Sequence, residues 1–514
     1  MPQRTPRFTI AHRHAGLAAL AAMSMLAAAC SGSDGAAPTT TVAVVETAAP
    51  TTTVALAPAT FQVQPGSGQV AVLGAKTGDT LTLAGPDTDV SGEVDEQGSL
   101  LFRNVEPGDG YTIRSETEAS ESFTVADPED HPDASFYAKE DLLPGGGFGY
   151  ITTRDGTTLS ANVMLPGPAD QGPYPTVVEY SGYAPSNPDD TTFGSIFNAL
   201  GFAYVGVNMR GTGCSGGSYR FFETAQSLDG YDAIEAVAAQ PWVLDNEVGM
   251  VGISYPGISQ LFVAATQPPS LEAISPLSVL DDSYRSTLYP GGILNTGFAV
   301  NWTKERMDSA KVYGQEWAKK RSDGGDTRCA DNQLLRLQNP DLLAEIQANP
   351  FYSNPLGDSL APATFVDRID VPVFIAGAWQ DEQTGGHFPA MLDRFTSSPA
   401  VFVTLTNGLH TESLSPTVFQ RLAEFLQLYV AKQVPDMSGP NGVVPILTNA
   451  LYGSPGGPPF VNRFEGQSYE QALAAFSSEP SVRVMVEEGA GDPANPGAAL
   501  PNGVLEFPSW PIPT

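Results

Sequence analysis

Basic residues are scarce in this chain: Lys and Arg number 25 against 57 Asp and Glu, a formal net charge of −32. Nucleic-acid backbones are held by clustered cations, so this balance argues against nucleic acid as a partner. An acidic surface instead keeps a protein soluble and favours cationic ligands in a cleft. Histidine is rarer still, with five, and there are three cysteines, Cys30, Cys214 and Cys329. His387 and His410 stand too far apart for paired-ligand spacing and no second ligand cluster exists, so neither a metal nor another cofactor is expected. The apolar run from Leu17 to Ala29 falls short of the roughly 20 residues that span a bilayer. No internal repeat is visible.

What is present begins with an address. Arg4, Arg7 and Arg13 precede that apolar run, which closes on Leu26-Ala27-Ala28-Ala29-Cys30. A basic stretch, a short apolar one and then small residues read as a secretory signal over residues 1–30. Cys30 after three alanines is similar to the bacterial lipobox, although Leu26 lies one place further from the cysteine than in the usual pattern. The expectation is export, either secreted or held at the membrane by a lipid on Cys30.

A chain of 514 residues is expected to form two or three domains. Residues 31–58, built mainly of Ser, Gly, Ala, Thr, Pro and Val, read as a linker. Over 59–135 short β-type runs such as Gln69–Leu73, Thr80–Leu83 and Tyr111–Ile113 alternate with Gly, Pro and Asp, the pattern of a small β-sandwich. Beyond Gly145-Gly146-Gly147, buried-strand runs (Tyr174–Tyr180, Ala203–Val207, Val248–Val251, Val371–Ala376, Ala400–Leu405) alternate with helical segments. One of these, Ser227–Gln240, sets Leu228, Tyr231, Ile234 and Val237 on a single face. That alternation predicts an α/β fold, a doubly wound parallel sheet over 145–280 and 366–435, with ligands at the carboxyl ends of its strands. Between them, 281–365 loses its β signal, and helical stretches such as Trp302–Arg321 and Asp341–Ala348 predict a cap. Residues 436–514 offer one fresh strand, Val482–Val486, read as the start of a separate C-terminal β domain.

Ser254 sits in Gly252-Ile253-Ser254-Tyr255-Pro256-Gly257, between a strand and a helix. Such a serine is held on a sharp turn with its hydroxyl exposed at the tip of the sheet, a turn that demands small neighbours. Pro256 falls in the helix's first turn, where a missing N–H is harmless. A nucleophilic serine needs a base, and the base an orienting acid, in the chain order Ser, acid, His. His410, just past the strand ending at Leu405, is the candidate base ahead of His387. Asp381, just past the strand ending at Ala376, is the candidate acid, with Glu382 as competitor. Cys214 and Cys329, the cysteines outside the leader, are expected to form a disulfide in an oxidising compartment.

The stretch from Ile151 to Tyr429 resembles the CocE/NonD hydrolases, the cocaine-esterase and X-prolyl dipeptidyl-peptidase group of α/β-hydrolases. The resemblance rests on Thr153-Arg154-Asp155-Gly156, Asn208-Met209-Arg210-Gly211-Thr212-Gly213, Asp229-Gly230-Tyr231-Asp232, Gln240-Pro241-Trp242, the serine motif, Ala378-Trp379-Gln380-Asp381 and His410. It implies a triad of Ser254, Asp381 and His410, with the Tyr183 hydroxyl and the Tyr255 N–H as oxyanion donors. It also implies a C-terminal jelly roll, of which only the first strand is expected here. The departures are Gly182, where the family has Pro before the tyrosine, and Gly408-Leu409 before His410, where the family has a Gly-Pro-Trp-Ser-His run.

The expected function is a serine hydrolase that cleaves an ester, amide or X-Pro peptide bond of a small molecule or peptide through an acyl-enzyme. The alternatives are an acyltransferase, or an exported binding protein on an inactive hydrolase scaffold. Relatives acting on amino-acid substrates hold a free amino group with carboxylates, and Asp281-Asp282 at the cap's entry are candidates for that task. N-capping of the first cap helix is the competing role for the pair.

Overall fold

Residues 56–86, 89–139, 146–353, 357–453, 457, 459–487 and 501–513 are described by the structure, a computed structural model. The expected leader, Cys30 and the expected linker up to residue 55 lie outside the described residues.

Among the described residues ten strands form the central sheet: β1 (Gly147–Thr152), β2 (Thr158–Met164), β3 (Tyr174–Ser181), β4 (Ala203–Asn208) and β5 (Val243–Ile253), then β6 (Leu271–Leu277), β7 (Val373–Ala378), β8 (Val401–Thr406), β9 (Val482–Glu487) and β10 (Pro501–Phe507). Their spatial order is β1-β2-β4-β3-β5-β6-β7-β8-β9-β10. From β4 to β9 neighbouring strands run parallel. β2 is antiparallel to β1 and β4, and β10 is antiparallel to β9. Both faces of such a sheet must be covered, which is why β4 and β7 are buried along their whole length and read as unbroken small and apolar runs. Adjacent residues of one strand serve opposite layers, as a period of two requires. Val178 packs in the core that holds Tyr231 and Ile234 of α1 (Thr224–Ala238) and Leu261 of α2 (Tyr255–Ala264). Val177 packs in the core that holds Val418 and Phe425 of a later helix, Pro416–Tyr429.

The motifs that carry the family resemblance meet as buried ion pairs. Arg210 Nη2 lies 2.9 Å from Asp155 and 2.6 Å from Asp229. Arg154 pairs with Asp232 at 2.8 Å. Three stretches far apart in sequence are thereby fixed to one another, and removing one partner would strand a buried charge.

The N-terminal strands form two small sheets, one built on Thr80–Ala84 and Gly108–Arg114, the other on Gln69–Leu73 and Leu100–Arg103. Val70, Leu81, Phe102 and Ile113 fill the space between them. This sandwich is tied to the cap by Gln338, which accepts from the Leu101 N–H at 3.2 Å and donates to Asp95 at 2.7 Å. Arg103 reaches the main domain at Ser218, 2.7 Å away.

The cap lies between Asp281 and Val366, with α3 (Phe298–Ser309), Glu316–Asp323, Thr327–Asp331 and Leu342–Ala348 as its α-helices among the described residues. The single helix expected near Trp302–Arg321 is broken between Ala310 and Gln315, where Tyr313 takes a left-handed φ of 53°. Cys329 of the cap is joined to Cys214 in the loop after β4.

The C-terminal expectation needs correction. Val482–Glu487 does not open a separate β domain; it pairs with β8 and extends the central sheet. Val482 and Met485 are buried there, and the preceding helix Tyr469–Ser477 places Phe476 against the same core. The Pro- and Gly-rich stretch after residue 435 is therefore a crossover, with Phe460 and Phe464 as its buried anchors. No helix among the described residues is long and apolar enough to cross a membrane.

Candidate active site

β5 enters the site and α2 leaves it, with Ser254 between them at φ 66°, ψ −126°. A side chain tolerates that backbone only when the surroundings impose it. Here a Cβ at Gly252 would lie 2.6 Å from Pro256, and one at Gly257 would lie 2.5 Å from the Leu277 carbonyl oxygen. The turn closes through the Ser254 carbonyl, which accepts from Gly257 at 2.9 Å and Ile258 at 2.7 Å. Tyr255 is the first residue of α2, so its N–H has no intrahelical acceptor and faces the start of the helix, where negative charge is favoured.

Asp381 and His410 follow the neighbouring strands β7 and β8 and meet side by side. His410 Nδ1 is 2.8 Å from Asp381 Oδ2. The same oxygen accepts from Thr384 Oγ1 at 2.7 Å, while Oδ1 accepts the N–H groups of Gln383 and Thr384, both at 2.8 Å. Burial alone would raise the pKa of Asp381, but the bond and charge of His410 outweigh it, with help from Thr384 and Gln383, and hold it below the ordinary carboxylate range. Glu382 is not the partner of the imidazole. Its carboxylate accepts the His410 backbone N–H at 3.0 Å and so fixes the loop. Ser278 donates to the His410 carbonyl at 2.5 Å from the opposite side. The other ring nitrogen, Nε2, is buried without a hydrogen-bond partner among the described residues. No hydrogen bond joins it to Ser254 among the described residues.

The Tyr183 hydroxyl is 3.3 Å from Ser254 Oγ. Its oxygen also accepts from Trp302 Nε1 of α3 at 3.1 Å. Trp302 escaped the sequence reading because it lies in the cap, more than a hundred residues from Tyr183, and a tryptophan on a helix face usually reads as packing.

Asp281 and Asp282 require a correction. Asp282 accepts from the N–H groups of Tyr284 at 2.9 Å and Arg285 at 2.7 Å, and pairs with the Arg285 side chain. It is an N-cap. Asp281 lies 2.9 Å from His387 Nδ1 and also accepts from Ser286. Neither lines the cavity beside Ser254, and both carboxylates are satisfied inside the protein, so the expected amine-recognition role is withdrawn. The cavity, about 40 Å³, is walled by Phe221, Phe222, Ile258, Leu288, Phe298 and Trp302, and no charged residue is among its lining. Among the described residues no group of three or more His, Cys, Asp and Glu is placed to hold a metal ion.

Residues 155–412 match the profile of the family described as X-Pro dipeptidyl-peptidase (S15 family). A Mycobacterium tuberculosis protein that bears the name of a serine esterase is 28% identical over 186 residues, covering 32% of this chain and 30% of its own. Cocaine esterase of a Rhodococcus species is 27% identical over 227 residues, covering 43% of this chain and 38% of its own. The chain thus spans about a third of the length of the curated relatives it matches. The crystal structure of a CocE/NonD family hydrolase from Staphylococcus aureus aligns over 72% of this chain and 56% of its own, with 19% identity and a TM-score of 0.49.

Proposed function

The chain belongs to the X-Pro dipeptidyl-peptidase (S15) family, and from that premise we propose that it is a serine hydrolase that cleaves esters through an acyl-enzyme on Ser254. What supports this reading is the presence of three parts at the strand ends of one sheet. They are a serine on a strained turn, a His410–Asp381 pair with Nε2 left free, and the Tyr183 hydroxyl 3.3 Å from the serine oxygen.

In the first half-reaction Ser254 Oγ attacks the substrate carbonyl carbon and its proton passes to His410 Nε2. Asp381 holds the ring by Nδ1 and stabilises the imidazolium. The carbonyl oxygen becomes an oxyanion that accepts from the Tyr183 O–H and the Tyr255 N–H. Collapse expels the alcohol, which takes the proton from Nε2. In the second half-reaction water gives its proton to Nε2 and its oxygen to the acyl carbon. The carboxylic acid leaves and Ser254 regains its hydrogen.

Ester rather than X-Pro peptide is the reading that the cavity supports. A peptide with a free N-terminus brings an ammonium group, which needs a carboxylate or strong acceptors when desolvated. The walls beside Ser254 carry no carboxylate, while Asp281 and Asp282 are engaged elsewhere. Purified full-length protein should hydrolyse p-nitrophenyl esters of uncharged acyl groups at least tenfold faster, by kcat/KM, than Gly-Pro or Ala-Pro p-nitroanilides. The opposite order would return the protein to dipeptide release.

A further inference from the structure

The cap does more at this site than close it. A phenol hydroxyl has one proton to give and two lone pairs to offer, whereas an indole N–H can only donate. The 3.1 Å bond from Trp302 Nε1 therefore makes the Tyr183 oxygen the acceptor in that contact, so that its own O–H turns elsewhere. Ser254 Oγ, 3.3 Å away, marks the direction in which it can point. One helical turn further along α3, on the same face, Arg306 lays its guanidinium over the Tyr183 ring with its central carbon 4.7 Å from the ring centroid. Among the described residues Arg306 stands without a carboxylate partner, and its Nε is buried without a hydrogen-bond partner. The ring is boxed from a third side by Tyr255, edge-on at 5.5 Å, which itself packs against Trp302 at 5.3 Å.

We propose that Trp302 and Arg306 are positioning residues: together they clasp Tyr183 so that its hydroxyl presents a single, fixed proton to the oxyanion, with an unneutralised positive charge behind the ring. A donor already aimed where charge develops needs no reorganisation during the reaction, which is the source of such a site's advantage over water. The inference rests on the serine-hydrolase reading and on Tyr183 as donor.

The test is a double-mutant cycle of Trp302→Phe with Tyr183→Phe, read by kcat and KM on a p-nitrophenyl ester and by the inhibition constant of phenylboronic acid, whose serine adduct carries a tetrahedral anion. Trp302→Phe keeps the apolar wall and deletes the N–H. It should lower kcat and weaken the boronate by roughly tenfold each, with KM within about twofold. Both losses should vanish when Tyr183 is already Phe. An equal loss in both backgrounds, or a rise in KM with kcat and boronate affinity retained, would overturn the proposal and leave Trp302 as cavity wall. Should Trp302→Phe lose its cooperative melt, Arg306→Met serves in the same cycle, because its side chain is only half-buried. Again a loss independent of Tyr183 overturns the proposal. Fluorophosphonate labelling of the wild-type protein in the same preparations separates the two levels. No labelling overturns the serine-hydrolase reading as well, whereas labelling with a flat cycle overturns this inference alone.

Discussion

Asp381 Oδ2 stands 2.8 Å from Nδ1 of His410, held there because β7 and β8 are hydrogen-bonded neighbours and both loops leave the same edge of the sheet. The imidazole is thereby fixed in one tautomer, with its lone pair on Nε2. Asp381→Asn should keep the fold and lower kcat by about a thousandfold or more, because an amide can turn its N–H groups to the ring and invert the tautomer. Since its pKa is depressed in the fold, the carboxylate also contributes stability above the unfolded value near 3.8, lost as pH falls through the folded one. The variant should therefore show a shallower loss of Tm below pH 4 than the wild type. A kcat within tenfold of wild type would remove Asp381 from its assigned role.

Ser254→Ala should abolish ester turnover and fluorophosphonate labelling while leaving the melting temperature nearly unchanged, since only the hydroxyl is removed and the Cβ that strains the backbone stays. Labelling that persists in the variant would place the nucleophile elsewhere.

Glu179, buried on β3 and hydrogen-bonded by Tyr204 Oη, has its pKa pushed up to about 7 by burial, against which the Tyr204 bond acts only in part. A raised folded pKa means that its contribution is fully present below the unfolded value near 4.5 and is lost as pH rises through 7. The wild type should lose up to roughly 3 kcal/mol between pH 4.5 and 8 from this group. In Glu179→Gln that part of the slope should disappear, as read from urea midpoints at several pH values. Parallel curves for the two proteins would show that Glu179 is ionised throughout.

Cys214 and Cys329 close a loop of 115 residues between the core and the cap. In the chain-entropy account such a closure stabilises by roughly 3 to 5 kcal/mol. Dithiothreitol, or Cys214→Ser with Cys329→Ser, should lower Tm by several degrees. An unchanged Tm would mean that the bond is absent in solution.

Asp282→Asn keeps a cap acceptor at the turn that opens at Ser283 but loses the Arg285 ion pair, and should weaken the turn by less than about 1 kcal/mol. Its effect on kcat/KM should be equal for amine-bearing and neutral substrates. A selective loss on amines would restore the recognition role.

The positions of Ser254, Asp381 and His410 were legible because each stands in a short local grammar, a strand run followed by a turn, and parallel strands deliver their carboxyl ends to one edge. α1 was legible too, since Leu228, Tyr231, Ile234 and Val237 repeat at helical spacing and all four are buried. Long-range pairings were not. Asp282 carries the same charge whether it caps a helix or meets a substrate, and only the Tyr284 and Arg285 N–H groups decide between them. Val482–Glu487 reads as a strand in any sheet, and nothing in its own residues names β8 as its neighbour. Trp302 and Arg306 meet Tyr183 only because the cap folds back over the sheet.

That late pairing has a bearing on the order in which the molecule is built. β8, whose end leads to His410, is an open edge until Val482–Glu487 has emerged to cover it. As the chain grows from its N-terminus, every strand from β1 to β8 precedes the segment that covers this edge. The contact joins residues some eighty positions apart and can form only after the helices between them. Closure of the sheet is therefore a late event, and an unfinished chain exposes its pairing groups beside the very loop that holds the imidazole.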